Sequence, residues 1–211
     1  MRHADGGALG DALEARLDLA YGALRLKDVE RAGWALRGVA APESVADHCY
    51  GTALLCLLYA ADAGVDRDRA VAIALAHDLA EAVTGDFVAR ADAADRDVSE
   101  DEKAAAERAA MAELVPPAAE EVRALWREYE ERATPEAVFV RDMNLLDMCL
   151  QALYYEASSR YDASRPVPSS AGYAHLDEFF ASARPRLGTP LGLALFASVE
   201  RRYRSMRSRG G

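Results

Sequence analysis

Residues 72–81 read Ala-Ile-Ala-Leu-Ala-His-Asp-Leu-Ala-Glu, and this stretch decides how the rest of the chain is interpreted. Its apolar residues favour a buried helix, yet His77 and Asp78 stand within it. Burying such an ionisable pair costs on the order of several kcal/mol unless something compensates. A divalent metal ion is one compensation, since neutral imidazole and carboxylate both bind divalent cations. The stretch therefore indicates a helical protein in which His77 is either a core residue with satisfied hydrogen bonds or part of a metal site, and the rest of the chain has to decide between them.

Two further acidic residues extend this hypothesis. Glu81 lies four residues after His77, so it shares that helix face one turn along. A carboxylate there can hold or protonate a water on the metal without itself binding the ion. Asp86 follows directly after Gly85, where a loop can bend back over the same site.

The remainder of the chain predicts an all-α fold, a helical bundle, because alanine and leucine are abundant and no stretch alternates as strands do. Ser44 and the Ser99/Glu102 pair predict helix N-caps, and Gly64 predicts a helix end. Gly33, Gly38 and Pro42 predict one loop, and Pro166 and Pro168 another. Helices are predicted at 9–27, from Ser44 to Gly64, at 70–80, from Ser99 to Leu114, and at 118–132, 136 to about 159, 174–183 and 190–206.

Composition limits the class of protein. The chain has 211 residues and a formal net charge of −10, which argues against duplex nucleic acid or an anionic membrane as a partner. No apolar run approaches the ~20 residues of a membrane span, and no secretory signal is evident, so we expect a cytoplasmic protein. The three cysteines, Cys49, Cys56 and Cys149, lie in apolar segments and are expected to be reduced core thiols.

The context of His77-Asp78 contains more motifs. Upstream lies Pro42-Glu43-Ser44-Val45-Ala46-Asp47-His48, and downstream lie Arg141-Asp142-Met143-Asn144-Leu145-Leu146-Asp147 and Gln151-Ala152-Leu153-Tyr154-Tyr155-Glu156. This order resembles the HD-domain superfamily of metal-dependent phosphohydrolases, and within it the 5′-deoxynucleotidase (HDDC2-like) subgroup. The resemblance covers roughly residues 9–165 and also rests on residues 26–34, 77–82 and 85–86. We expect one HD-type domain over residues 1–211, with C-terminal helices and an arginine-rich tail at 166–211.

The resemblance implies roles for particular residues. It implies metal ligation by His48, His77 and Asp78, handling of the water and the leaving-group proton by Glu81 and Asp86, and nucleotide contacts by Arg31 and Trp34. Arg31 would face phosphate or sugar, and Trp34 would pack near the sugar and base. The alternatives are an ordinary surface arginine and a core tryptophan.

Two departures from the subgroup pattern stand out. The fourth metal ligand of the family is an aspartate, and the aligned position here is Asn144, whose amide leaves a divalent site with a net charge of about +1. Asp142 is an alternative ligand, but two residues along a helix are about 200° apart, so it should point away. Asp147 shares the face of Asn144 and could support the site indirectly.

The second departure follows Asp86, where the subgroup usually continues with a proline and a hydroxyl residue that helps to hold phosphate. This chain instead reads Phe87-Val88-Ala89-Arg90, and Arg90 could supply a charge-assisted contact in place of the hydroxyl. The changes indicate an altered substrate, an altered metal or lost activity.

The predicted function is hydrolysis of the 5′-phosphate of a (deoxy)nucleoside monophosphate or a related phosphorylated nucleoside, with one divalent metal ion (Mn, Co, Fe, Ni, Zn or Mg). A nucleotide-binding protein with weakened or lost catalysis is the alternative, because of Asn144. A two-iron oxidase is disfavoured, since no histidine occurs between His77 and His175. The subgroup is commonly dimeric, so we expect a homodimer, with apolar faces of the C-terminal helices as an interface.

Overall fold

The computed structural model describes residues 5–88, 98–164 and 172–208. Across these ranges the chain is helical, and extended segments pair only in an isolated antiparallel bridge between Glu30 and Ser44. The predicted all-α fold is confirmed, whereas a single domain over the whole chain stays a prediction. The α-helices are α1 (Asp5–Ala23), α2 (Ala32–Leu36), α3 (Val45–Ala63), α4 (Arg67–Ala76), α5 (Glu81–Thr84), α6 (Glu100–Leu114), α7 (Glu120–Glu131), α8 (Pro135–Ala157), α9 (Asp177–Ala183) and α10 (Pro190–Arg207).

The predicted helix caps form. The Ser44 side chain accepts a hydrogen bond from the Asp47 backbone N–H, and the Asp47 carboxylate accepts one from the Ser44 backbone N–H, so α3 starts with a capping box. Ser99 and Glu102 form the same arrangement at α6. Gly64 ends α3 in the left-handed conformation at φ +69°, which a residue without Cβ adopts at little cost.

Helix α4 ends at Ala76, so the prediction of a helix through residue 80 is wrong in its last turn. Backbone bonds there link residues three apart, as in Leu79 N–H to Ala76 O at 3.2 Å and Glu81 N–H to Asp78 O at 3.0 Å. The His77 ring also bonds the Ala74 carbonyl. This tighter winding places the His-Asp pair at a break between two helices rather than on one continuous face.

The predicted loop from Gly33 to Pro42 contains α2, which the sequence did not reveal. Trp34 is buried in the core and fixes this segment, since its ring packs on Phe179 with centroids 3.9 Å apart. A Cβ on Gly33 would lie 3.3 Å from the Phe179 ring, so the glycine permits this approach. Tertiary packing here overrides a local signal for a loop.

Helix α8 is the centre of the fold, because it packs against α3, α4, α7, α9 and α10. Its buried side chains, including Phe139, Met143 and Leu146, belong to the larger core cluster. A second cluster, around Val45, Leu79 and Met111, joins the start of α3 to α6. Cys49, Cys56 and Cys149 are buried and free, as predicted.

The boundaries of other helices shift slightly from prediction. The segment predicted as helix over 118–132 begins with a 3-10 turn at Pro117–Ala119, and 3-10 turns also cover Leu24–Lys27 and Arg184–Arg186. None of the described helices is both long and apolar enough to cross a membrane. The predicted loop at Pro166 and Pro168 lies outside the described residues.

Candidate metal centre

His48 lies in the first turn of α3, and its side chain is fully buried. One ring nitrogen, Nδ1, is 2.7 Å from Oδ2 of Asp147 on α8. The other, Nε2, is buried with no hydrogen-bond partner. The ring is therefore held from one side and presents a free nitrogen on the other.

The His77 ring, directly after α4, is likewise held through one nitrogen and leaves the other free. Its Nδ1 is 2.7 Å from the Ala74 carbonyl oxygen, and because a carbonyl only accepts, the proton lies on Nδ1. Its Nε2 is buried and has no hydrogen-bond partner. The His48 and His77 rings lie 5.4 Å apart between centroids, so two segments distant in sequence converge.

Asp78 completes a cluster of three potential ligands. Its Oδ2 is 3.1 Å from His77 Nε2 and 3.7 Å from His48 Nε2. This oxygen also has no hydrogen-bond partner, and the ligand atoms of the three residues lie within 4.8 Å of one another. Leaving buried polar atoms unsatisfied costs about 1–3 kcal/mol each. Two imidazole nitrogens and a carboxylate oxygen are a donor set that suits a divalent cation, so these residues fit a metal ion.

Arg31 and Asp86 form the border of this cluster. The guanidinium Nη1 of Arg31 is 3.2 Å from Asp86 Oδ1 and 3.7 Å from Asp78 Oδ2. Asp86 Oδ2 accepts the Ala32 backbone N–H at 2.7 Å. The structure thus brings both residues to the site, with Asp86 holding Arg31 in place. The assigned roles of Arg31 in binding and Asp86 in catalysis stay predictions.

Glu81 is buried at the start of α5, and its Oε2 has no hydrogen-bond partner. Burial, together with the negative charges of Asp78 and Asp86, raises the pKa of Glu81 well above its usual range. A raised pKa favours the protonated carboxyl group, which is the form that can donate a proton. Its catalytic role stays a prediction.

Protonation of the two histidines differs. Burial and the positive charge of Arg31 lower the pKa of His48 to about 3. Burial acts in the same direction on His77, but the Asp78 carboxylate outweighs it and raises the pKa of that ring well above its usual range. A cation at the site would displace the proton that the Asp78 charge favours on His77, so metal binding is expected to release a proton.

Trp34 lies in the core rather than open to solvent, with only 2% of its surface exposed. Its ring packs between Tyr155 and Phe179, and its indole N–H donates to Glu43 Oε1 at 2.8 Å. These contacts match the alternative of a core tryptophan, and its predicted nucleotide contact stays a prediction.

Helix α8 carries two candidates for the fourth metal ligand, Asn144 and Asp142, and their side chains have different hydrogen-bond partners. Asn144 donates its amide N–H to the Tyr129 hydroxyl at 2.9 Å, which leaves its side-chain oxygen as the atom able to bind a metal. The Tyr129 ring packs against His77 at 5.0 Å, so Asn144 stands behind the histidine cluster. Asp142 points away, as predicted, because its carboxylate accepts from the Gly188 and Thr189 backbone N–H groups. The alternative that Asp142 is the fourth ligand is therefore wrong. Ligation by Asn144 stays a prediction.

Sequence reasoning missed two residues of the site, Glu43 and Tyr129. Glu43 accepts from Trp34, and its backbone carbonyl accepts the Arg31 N–H at 2.9 Å, so it links the segment that carries these two residues to the start of α3. Its carboxylate also lies within 4.8 Å of ligand atoms of His48 and Asp147. Glu43 belonged to the stretch at 42–48 but had no distinguishing spacing. Arg90, the predicted replacement for a hydroxyl, lies outside the described residues.

A helical fold whose buried histidines and aspartate converge on one point defines a class of metal-binding helical proteins. A family model described as "HD domain" matches residues 23–178. The chain therefore belongs to the HD-domain family.

Individual relatives agree with this assignment. The chain is 43% identical over 136 residues to "5'-deoxynucleotidase HDDC2" of Xenopus laevis, a match that spans 63% of this chain and 65% of that protein. It is 35% identical over 191 residues to the Danio rerio protein of the same name, covering 88% of this chain and 87% of that protein.

Solved structures show the same fold. A conserved hypothetical protein from Pyrococcus furiosus matches with a TM-score of 0.67 and 32% identity, covering 89% of this chain and 99% of the other. A protein of Magnetospirillum magnetotacticum MS-1, described as a "Predicted metal-dependent phosphohydrolase", matches with a TM-score of 0.64 and 26% identity, covering 94% of each chain.

Proposed function

We propose that this protein is a metal-dependent phosphomonoesterase that removes the 5′-phosphate from a (deoxy)nucleoside monophosphate. The observation that carries the proposal is the convergence of three buried atoms without hydrogen-bond partners, His48 Nε2, His77 Nε2 and Asp78 Oδ2. The names of the frog and fish relatives support a nucleotide as substrate.

His48, His77 and Asp78 would hold the divalent ion, with the Asn144 oxygen as fourth ligand. When bound, the ion would act as a Lewis acid on a phosphate oxygen and lower the pKa of a bound water. Two imidazoles favour Mn, Fe, Co, Ni or Zn over Mg, because imidazole is a softer ligand than oxygen.

Arg31 is proposed to bind the substrate phosphate. Its guanidinium lies beside Asp78 at 3.7 Å and is fixed by Asp86 at 3.2 Å, so it presents a positioned positive charge next to the metal ligands. Holding the phosphate in one orientation converts a collision into a reaction between fixed groups.

Glu81 is proposed to transfer the proton that the reaction requires. Its raised pKa favours the protonated form, which would donate to the 5′ oxygen as the P–O5′ bond breaks. The attacking water forms the new P–O bond and returns one proton to Glu81, which restores the starting state. The products are a nucleoside and inorganic phosphate.

The direct test is phosphate release from a panel of nucleoside 5′-monophosphates, ribo and deoxy, with Mn²⁺, Co²⁺, Zn²⁺ or Mg²⁺ added in turn. We expect release from at least one deoxynucleotide with a transition metal. A protein that retains metal and binds nucleotides but releases no phosphate would instead be a binding protein, and the proposal would fail.

We also propose a homodimer. Large exposed apolar side chains form helical stripes on α1 and α3, whereas α10 exposes only Leu193 among its described large apolar residues. The stripes are Leu9, Leu13, Leu17 and Tyr21 on α1, and Tyr50, Leu54, Leu57 and Leu58 on α3. An interface between copies is therefore better placed here than on the C-terminal helices. Light scattering of wild type, Leu13→Glu and Leu57→Glu tests it: a dimer that at least one substitution dissociates supports it, and a wild-type monomer contradicts it.

A further inference from the structure

Gly51 occupies an interior position of α3, one turn after His48. Glycine weakens a helix interior because it loses more backbone freedom on folding than other residues, so its presence needs a reason. A Cβ built on Gly51 would lie 2.0 Å from Asp147 Oδ1 and 2.8 Å from Asp147 Cγ. The Asp147 carboxylate therefore occupies the space that a side chain on residue 51 would fill.

The two oxygens of that carboxylate face different groups. Oδ1 lies over Gly51, while Oδ2 is 2.7 Å from His48 Nδ1. The Asp147 side chain is short and only 13% exposed, so it cannot retreat from a new Cβ while keeping the bond to His48. The packing of the Asp147 carboxylate against Gly51 and the orientation of the His48 ring therefore depend on each other.

We propose that Gly51 and Asp147 are positioning residues for His48. By accepting the Nδ1 proton, Asp147 sets the tautomer and leaves Nε2 unprotonated, directed at the proposed ion beside His77 and Asp78. Gly51 is needed because any side chain there excludes the carboxylate. This inference deepens the proposed function and rests on its metal centre.

The same helix provides a matched control. Asp142 of α8 lies over Gly192 of α10, where a Cβ would be 2.1 Å from Asp142 Oδ2. That carboxylate accepts from the Gly188 and Thr189 backbone N–H groups and from the Thr189 hydroxyl, so these bonds do not lead to a histidine. A Gly192→Ala substitution therefore creates the same type of clash without touching the proposed metal ligands.

The experiment is a titration with Co²⁺ alone, followed by visible absorption, on the full-length protein. We expect Gly51→Ala and Asp147→Ala each to weaken Co²⁺ binding by roughly 10–100-fold. Asp147→Asn retains an acceptor oxygen, so its affinity should be closer to that of the wild type than Asp147→Ala. Gly192→Ala should bind Co²⁺ within about twofold of wild type, even if it unfolds at a lower temperature. Wild-type affinity in folded Gly51→Ala would overturn the inference.

A double variant tests whether the two residues act as a unit. Because removal of the carboxylate also removes the clash, Gly51→Ala/Asp147→Ala should bind Co²⁺ no more weakly than Asp147→Ala alone. Losses that simply multiply would show two independent effects and would contradict the coupling.

A metal-free readout separates this inference from the proposed function. In ¹⁵N NMR spectra of the metal-free protein, His48 should carry its proton on Nδ1 in the wild type and in Gly192→Ala, and should lose this preference in Gly51→Ala. Absence of Co²⁺ binding by the wild type would defeat the proposed function, while the NMR result would still decide the role of Gly51 and Asp147. An unaltered His48 tautomer in Gly51→Ala would overturn that role.

Discussion

Helix α8 places two buried carboxylates over two glycines, and their surroundings differ. Asp142 is saturated: it accepts from two backbone N–H groups and a hydroxyl at the start of α10. Asp147 bonds the ring of His48, whose second nitrogen has no hydrogen-bond partner. The comparison shows that a buried carboxylate alone does not identify a functional site. Asp147, which we propose as a positioning residue, differs from Asp142 because its hydrogen bond leads to a ring whose other nitrogen is unsatisfied.

The largest effect is expected from loss of His77, whose unsatisfied ring nitrogen lies near that of His48. His77→Ala removes one of the two free imidazole nitrogens, so metal retention and turnover should both be lost. Metal content after gel filtration and phosphate release measure the two. Full activity in this variant would eliminate the metal-site account, and Asp142→Ala serves as a control expected to keep its metal.

Glu81 separates proton transfer from metal binding. Glu81→Ala should lower kcat by about 10²–10⁴ while Co²⁺ affinity stays near wild type, because Glu81 is proposed to donate a proton and not to bind the ion. Steady-state kinetics together with a Co²⁺ titration check both parts. An unchanged kcat would remove Glu81 from the proton-transfer role.

Asp142 should affect folding alone. Asp142→Ala leaves the donors of Gly188 and Thr189 without their acceptor, so the protein should lose about 2–4 kcal/mol of unfolding free energy. Urea unfolding of the metal-free protein measures this loss. A large drop in Co²⁺ affinity, with the fold intact, would contradict a purely structural role of Asp142.

Glu107 of α6 is another buried carboxylate, and its titration should make the stability of the protein depend on pH. Burial raises its pKa to about 7 from 4.5, despite the attraction of Lys103, with Glu130 and Asp78 adding repulsion. Between pH 4.5 and about 7, Glu107 is protonated in the native state and ionised in the unfolded chain. The free energy of unfolding therefore falls as pH rises through this range, and the loss is constant above pH 7.

Glu107→Gln removes that titration. The variant should exceed wild type by about 1–2 kcal/mol above pH 7 and match it near pH 4, the gain being limited by the lost attraction to Lys103. Urea unfolding at several pH values is the measurement. A difference that does not vary with pH would assign Glu107 a purely packing role.

Asn144 is expected to give the smallest effect. Asn144→Asp adds a negative charge beside a proposed cation, so Co²⁺ binding should tighten by about tenfold. The Tyr129 hydroxyl can donate to a carboxylate as readily as it accepts from the amide, which keeps the side chain in place. Unchanged affinity would indicate a site with three protein ligands.

The sequence predicted most helices because their signals are local. Ser44, Ser99 and Thr134 all cap the helices that follow them. The meeting of His48 and His77 was predicted from motif order, which the structure bears out with rings 5.4 Å apart. What could not be predicted depends on packing between distant segments: α2 forms because Trp34 is buried, and α4 ends early, at Ala76.

The supporting residues were harder to predict for the same reason. Asp147 was expected to support the site indirectly from the face of Asn144, but its partner, His48, lies 99 positions away in sequence and could not be named from the spacing. Gly51 gives no sequence signal, because its role is defined by a carboxylate from another helix. Tyr129 reaches Asn144 only through the packing of α7 on α8.

The central claim is that His48, His77 and Asp78 bind one divalent ion. Anomalous diffraction from a crystal soaked in Co²⁺ tests it most directly. The account predicts one cobalt peak within ligating distance of His48 Nε2, His77 Nε2 and Asp78 Oδ2. Cobalt bound elsewhere, with these three atoms left unligated, would contradict it.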